Sequence, residues 1–316
     1  MQPNRSNSEK RPADRLLKMP GKHDRGPIDF KTRIAEHEGE IMAIATRDVV
    51  VAHQTTTIIQ AVEIMTREGF RRLPIVDAGT HRLRGIVTGS DIIDLMGGGD
   101  KYNLVQVKHG GNFLAAVNEE LREIMTEHPV TMPVTGSITD AVDIIVNRKI
   151  GGIPITDNDG ELKGIVTERD VMMVLATEHS RCRVEDIMTS SVRVTTPDTP
   201  ISKVCEKMVK CRFRRLPVVT DDVLCGIVTA TDIMRYLGEG KAFEHLTTGD
   251  AAEVMATPVR LLLSGELYTT TPYKNIHEVA LEMLRRQVGA LPVIEDSHLV
   301  GLVTEYDLVK AFSREG

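Results

Sequence analysis

Aromatic residues make up only 3% of the 316-residue chain, and tryptophan is missing altogether. Single-stranded nucleic acid is held on aromatic rings against which bases stack, so that function is disfavoured. Charge does not rescue it. The net charge of -6 gives no general attraction to a phosphate backbone or an anionic membrane. No apolar stretch approaches the roughly 20 residues that a bilayer-spanning helix needs, and the N-terminus lacks the apolar core of a signal peptide. There are four cysteines, Cys182, Cys205, Cys211 and Cys225. None forms a Cys-x-x-Cys pair or stands at zinc spacing with histidines. They are expected to be reduced, mostly buried thiols of a cytoplasmic protein, with no metal. Enzyme signatures are also missing: no Gly-x-x-x-x-Gly-Lys-Ser/Thr loop, no Gly-x-Ser-x-Gly elbow and no His-Glu-x-x-His. No catalysis is expected.

What the chain does have is repetition. Gly85-Ile86-Val87-Thr88-Gly89-Ser90-Asp91 returns as Gly164-Ile165-Val166-Thr167-Glu168-Arg169-Asp170. It returns again as Gly226-Ile227-Val228-Thr229-Ala230-Thr231-Asp232 and as Gly301-Leu302-Val303-Thr304-Glu305-Tyr306-Asp307. Each copy is a glycine and a short apolar run, then Thr-x-x-Asp opening an apolar-periodic segment. That pattern predicts a buried strand turning into a helix. Upstream, each copy has a helix with a polar start at Thr57, Ser137, Thr199 or Asn275, then a strand with Leu-Pro or Ile-Pro at its centre. The predicted order is strand, helix, strand, strand, helix, with Val49–Val51 as the first strand of the first copy.

The spacing of the copies divides the chain. Their final aspartates lie 79, 62 and 75 residues apart, and the two longer gaps hold similar connectors, Gly97–Tyr102 and Gly238–Phe243. A doubled unit was therefore doubled again. The reading gives a flexible extension over 1–43, a first module over 44–178 (copies 44–98 and 123–177) and a second over 182–316 (copies 185–238 and 252–314). One copy alone would leave an apolar sheet face bare, so copies must pack together. Ligands are expected in the clefts between paired copies.

Two residue patterns suggest chemistry. The first is Thr-x-x-Asp itself: Thr88 and Asp91, Thr167 and Asp170, Thr229 and Asp232, Thr304 and Asp307. A threonine followed three residues later by an acid is close to a capping box, which needs no ligand. Alternatively the carboxylate accepts from two ribose hydroxyls, while the helix start faces phosphate. The second pattern is uneven. Arg71-Arg72 and Arg214-Arg215 precede Leu-Pro in the first and third copies, where the second and fourth have Gly151-Gly152 and Gly289-Ala290. Paired arginines beside a buried strand are costly unless an anion neutralises them. Across a pseudo-twofold axis they would reach the phosphates of a nucleotide whose ribose the neighbouring copy holds. The expected sites therefore combine Asp170 with Arg71, Arg72 and Arg169, and Asp307 with Arg214 and Arg215. Ion pairing to acids at a module interface is the competing reading. Gly152 and Ala290 would leave room for base or sugar, or serve only close packing.

The fourfold pattern resembles the CBS domain, two of which form a Bateman module, over about 44–314. The stretch Leu95–Leu104 with Asn112–Ala116 is similar to archaeal four-CBS proteins related to the γ subunit of AMP-activated protein kinase. The resemblance implies an α/β fold, each copy β-α-β-β-α, with two modules forming a flat disk. It also implies regulatory binding of AMP, ADP or ATP, with the turns at Thr57, Ser137, Thr199 and Asn275 beside the adenine. S-adenosylmethionine or another adenosyl ligand, or a scaffold with no ligand, are the alternatives. A regulated protein is an expected partner, and the disk would be completed within one chain or by a dimer of chains. A nucleic-acid-binding regulator is disfavoured, since no helix-turn-helix segment is added.

Overall fold

The computed structural model describes residues 38–176, 180–244, 246–263 and 266–315. Each of the four copies contributes two helices and two principal strands. Copy 1 holds α1 (Ile58–Glu68), β1 (Arg72–Val76), β2 (Leu83–Thr88) and α2 (Gly89–Gly97). Copy 2 holds α3 (Ile138–Arg148), β3 (Gly152–Thr156), β4 (Leu162–Thr167) and α4 (Glu168–Leu175). Copy 3 holds α5 (Ile201–Cys211), β5 (Arg215–Thr220), β6 (Val223–Thr229) and α6 (Ala230–Gly238). Copy 4 holds α7 (Ile276–Arg286), β7 (Ala290–Glu295), β8 (His298–Thr304) and α8 (Glu305–Glu315).

Local sequence explains the helix starts. Thr57 N donates to Gln60 Oε1 at 3.1 Å, and Gln60 N donates back to Thr57 Oγ1 at 3.3 Å, closing a capping box on α1. Ser137 and Asp140 do the same for α3, and Asn275 Oδ1 accepts from His277 N at 2.8 Å on α7. Thr199 departs from the expected cap. Pro200 stays extended (φ -63°, ψ 147°) and is itself the N-cap of α5, so the helix starts one residue later. Thr199 Oγ1 instead accepts from Thr196 N at 3.3 Å.

In every copy the two principal strands form an antiparallel hairpin, pairing Leu73 with Val87, Ile153 with Val166, Leu216 with Val228 and Leu291 with Val303. The expected first strand is nearly absent. Met132–Pro133 runs parallel to β3, but the other copies keep single bridges, Ala52 to Ile75, Thr195 to Val218 and Thr270 to Val293. Val49–Val51 is accordingly not a strand. Proline is the cause. Ala52 N donates to Pro74 O at 3.0 Å and Val76 N donates to Ala52 O at 2.9 Å. The next rung of a parallel ladder, at Val50, would need the N–H that Pro74 lacks.

The recurring glycine before each final strand also has a steric cause. A Cβ on Gly85 would lie 2.9 Å from Thr126 O and from Met125 Sδ, and one on Gly301 2.4 Å from Met188 Sδ. On Gly164 it would meet Thr46 O at 3.1 Å. These neighbours belong to the lead-in segment of the other copy in the same module. Thr46 and Ile165 exchange backbone hydrogen bonds at 2.9 Å, as do Thr189 and Leu302 at 2.9 and 3.0 Å. Pairing within a module therefore relies on lead-ins crossing onto the partner sheet, and only glycine leaves space for the crossing.

The helices pack between modules. One buried cluster joins copies 1 and 3, including Ile58, Met65, Leu73 and Ile92 with Ile201, Met208, Leu216 and Ile233. The other joins copies 2 and 4, including Ile145, Ile153 and Val171 with Val279, Met283, Leu291 and Leu308. Each fully buried large apolar side chain contributes about 1.5–3 kcal/mol, so the copies are interdependent. A single helical turn at Ile41–Ile44 buries Ile41, Met42 and Ile44 in the second cluster. The extension expected over 1–43 therefore gives way to packed structure by Ile41; its residues 1–37 lie outside the described residues. The segments joining the copies of each module meet as well: the Phe113 and Phe243 rings are 6.2 Å apart, and Phe113 N donates to Gly249 O at 3.1 Å. Of the cysteines only Cys205 is buried; Cys182 is half-buried, and Cys211 and Cys225 are exposed. The last two sit on exposed edges of α5 and β6, contrary to the mostly buried thiols expected.

Candidate functional site

The four copies bring the starts of their second helices to a common centre. A backbone hydrogen bond fixes each start against the entry of the hairpin: Gly89 N to Arg71 O, Glu168 N to Gly151 O, Ala230 N to Arg214 O and Glu305 N to Gly289 O, at 2.8–3.1 Å. The residues that differ among the copies therefore share one location. Odd copies place arginine pairs there beside a small helix-start residue, and even copies place Gly-Gly or Gly-Ala beside a glutamate.

The arginines divide into two pairs. Arg71 Nη2 donates to Glu305 Oε2 at 2.8 Å, and Arg214 Nη2 lies 3.4 Å from Glu168 Oε1. Both bonds cross between modules, so these two arginines do not reach toward Asp170 and Asp307 as the sequence suggested. Helix packing of copy 1 on copy 3 and of copy 2 on copy 4 sets that direction. Arg169, expected to contact phosphate, donates through Nε to Glu305 Oε1 at 2.8 Å. Arg72 and Arg215 remain within their modules. A Cβ on Gly152 would lie 3.0 Å from Arg72 Cδ, Cζ and Nε, so the space at Gly152 is taken by Arg72 rather than left for a base. Arg215 Nη1 donates to Gly289 O at 2.6 Å. Ala290 opens β7 opposite Thr304, on the same rim.

Five guanidinium groups thus share the centre with two carboxylates. Glu168 and Glu305 are only 3% and 1% exposed. Burial raises the Glu305 carboxyl, but Arg71 and Arg169 outweigh it and hold it at about 2. Arg72 is depressed to about 10 by burial, with Arg71 and Arg214 adding to the effect. Arg215 is depressed to about 10 by burial and by Arg214 and Arg71. Arg72 has no carboxylate partner among the described residues. Such a cluster holds uncompensated positive charge.

The Thr-x-x-Asp elements are capping boxes in all four copies. The threonine N and Oγ1 donate to the aspartate Oδ2 at 2.6 and 2.7 Å in copy 1, 2.9 and 2.7 Å in copy 2, 2.8 and 2.7 Å in copy 3 and 2.9 and 2.7 Å in copy 4. The structural role is thus present in each copy, and it leaves Oδ1 to a further partner. Lys101 Nζ takes Asp91 Oδ1 and also bonds Ile124 O. Arg235 Nη1 takes Asp232 Oδ1 at 3.2 Å. The aspartates of the odd copies are thus engaged by cations of their own copy or connector. Burial raises the carboxyls of both Asp232 and Asp307; against it act Thr229 and Arg235 in the first case, Thr304 and Arg215 of the neighbouring copy in the second. Asp170 is 4% exposed.

Thr57, Ser137 and Asn275 cap their helices as described, and Thr199 is half-buried between the turn at 197–198 and α5. Sequence reasoning missed Glu168 and Glu305. Their signal was available: glutamate alternates with Gly89 and Ala230 in antiphase to the arginine pairs. No cluster of three or more metal-binding side chains occurs among the described residues, and none of their helices is long and apolar enough to cross a membrane.

Comparisons with known proteins agree with this architecture. The CBS domain model matches residues 39–98, 121–177, 184–239 and 247–314. Protein MJ1225 of Methanocaldococcus jannaschii is 38% identical over 276 residues, 86% of this chain and 99% of the relative. Its crystal structure, presented as that of a proposed archaeal homologue of γ-AMPK, superposes with a TM-score of 0.82 at 37% identity, covering 86% of this chain and 99% of that one. A Thermofilum pendens protein from the ribosomal RNA operon is 27% identical over 84% of this chain and 88% of its own length. A conserved protein of Pyrococcus horikoshii shares the fold at 20% identity, with a TM-score of 0.53 over 85% of this chain and 97% of that one. With four matched segments and a full-length relative, the chain belongs to the CBS-domain family, as a four-copy, two-module member.

Proposed function

We propose that this protein is a regulatory sensor of adenine nucleotides, AMP, ADP or ATP, whose phosphates enter the arginine-rich centre and whose riboses are held by Asp170 and Asp307. One observation carries the reading: half-buried Arg72 and Arg215, their guanidinium groups crowded by Arg71 and Arg214, lie over the hairpin entries of copies 2 and 4. A phosphate there supplies the negative charge that burial makes favourable. Asp170 and Asp307 stand on those same copies at helix starts, where an acid suits ribose hydroxyls. The M. jannaschii relative, proposed to be a γ-AMPK homologue, is in keeping with this ligand class. Binding at clefts between copies would shift their relative placement and so alter a partner's state.

Isothermal titration with AMP, ADP, ATP and S-adenosylmethionine tests the proposal. Arg72→Ala and Asp170→Ala are expected to weaken nucleotide binding by about tenfold or more, the loss of a charged hydrogen bond of about 1.5–3 kcal/mol. Binding of S-adenosylmethionine alone, unaffected by Arg72→Ala, would replace the nucleotide reading by a phosphate-free adenosyl ligand. Heat from none of the four ligands would leave a scaffold.

A further inference from the structure

We infer that Glu168 and Glu305 set how much phosphate charge the centre accepts, so that the chain takes two monophosphates but only one triphosphate tightly. The inference rests on the nucleotide reading above and concerns the specificity of that same site. The two glutamates are not capping residues; those roles belong to the threonines and aspartates beside them. They are almost fully buried, and each is bound to arginines of another copy: Glu305 to Arg71 and Arg169, Glu168 to Arg214. They act as built-in anions. Five guanidinium groups less two carboxylates leave three positive charges in excess at the centre itself.

The two expected phosphate positions are not independent. A Cβ on Gly151 would touch both Arg72 Nη2, at 2.3 Å, and Arg214 Nη1, at 2.9 Å. Arg72 thus lies beside Arg214 of the other module, and Arg71 and Arg214 both depress Arg215. Two AMP dianions bring about four negative charges at neutral pH, near what the excess can neutralise. A first ATP delivers as much by itself, and a second would meet an already neutralised cluster in a partly buried setting, where screening is weaker than in open solvent. Couplings between sites of this kind commonly reach 5- to 150-fold. Replacing both glutamates by glutamine would raise the excess from three charges to five and reopen the second ATP position.

The experiment is calorimetric titration of the full chain with AMP and, separately, with ATP in the absence of magnesium. Two equivalents of AMP are expected, against one of ATP followed by a second at least about tenfold weaker. In the Glu168→Gln/Glu305→Gln variant the second ATP should tighten by about tenfold relative to the first. The wild-type comparison stands without the variant, should that protein fail to fold. Equal stoichiometry and affinity steps for AMP and ATP would overturn the inference while leaving nucleotide binding intact. Binding of neither nucleotide would overturn both.

Discussion

Replacing Glu305 by glutamine tests the electrostatics of the centre directly. Glutamine preserves the shape and some hydrogen bonding but removes the charge that faces Arg71 and Arg169 at 2.8 Å each. The wild-type carboxyl stands at about 2, lowered from 4.5. At about 1.4 kcal/mol per pH unit, the ionised form contributes about 3 kcal/mol to folding. Breaking a buried pair typically costs about 3–5 kcal/mol, and the lower end applies because the two arginines keep 25% and 31% of their side chains in solvent. The sign follows from the folded value lying below the unfolded one. The contribution is complete above about pH 5 and is lost as pH falls from 4.5 toward 2. Urea unfolding of both proteins at pH 7, 4 and 3 should show the variant weaker by about 3 kcal/mol at pH 7 and by about half of that at pH 3. A deficit that stays constant over this range, or one below about 0.5 kcal/mol at pH 7, would refute the charge assignment.

Four substitutions and a thiol titration test other parts of the structure. Arg72→Leu should raise the unfolding free energy of the ligand-free protein by about 1 kcal/mol or more, because a half-buried cation crowded by Arg71 and Arg214 is removed. The same change should abolish stabilisation by AMP, which at a hundredfold excess over the dissociation constant amounts to about 2.7 kcal/mol. Gly97→Ala would place a Cβ 2.3 Å from Cys205 Cβ and 2.6 Å from its carbonyl carbon, against the backbone of α5. Separating the α2–α5 contact should cost about 1–3 kcal/mol or more in urea unfolding. Ser137→Ala should cost about 1 kcal/mol through loss of the α3 cap, whereas Thr199→Ala, outside any cap, should change stability by less than about 0.5 kcal/mol. In a native thiol titration Cys211 and Cys225 should react at once, and Cys205, buried and with its thiol pushed up, only on unfolding.

Much of this protein is legible in its sequence, because local rules repeat four times. Thr-x-x-Asp specifies a helix start wherever it follows a strand, and the antiparallel hairpins follow from apolar runs bounded by turns. The arginine alternation drew attention to one location, and there Arg72 lies against Gly152 and Arg215 donates to Gly289 O of the partner copies. What the sequence alone could not give was direction. Whether Arg71 turns toward Asp170 or toward Glu305 depends on how α2 rests on α5 and how α4 rests on α8, contacts between residues more than a hundred positions apart. The missing first strands show the same limit. Val49–Val51 has strand composition, yet the N–H that its ladder needs is absent from Pro74 in the neighbouring segment. The small residues opposite the arginines were visible as gaps, but their occupant was not: at Gly152 the gap holds the Arg72 side chain. The sequence by itself therefore determined the units, their number and the unusual charges. Tertiary structure decided which charges meet, because ion pairing is short-ranged and only the packing of the two modules brings Glu168 and Glu305 within reach of the arginines.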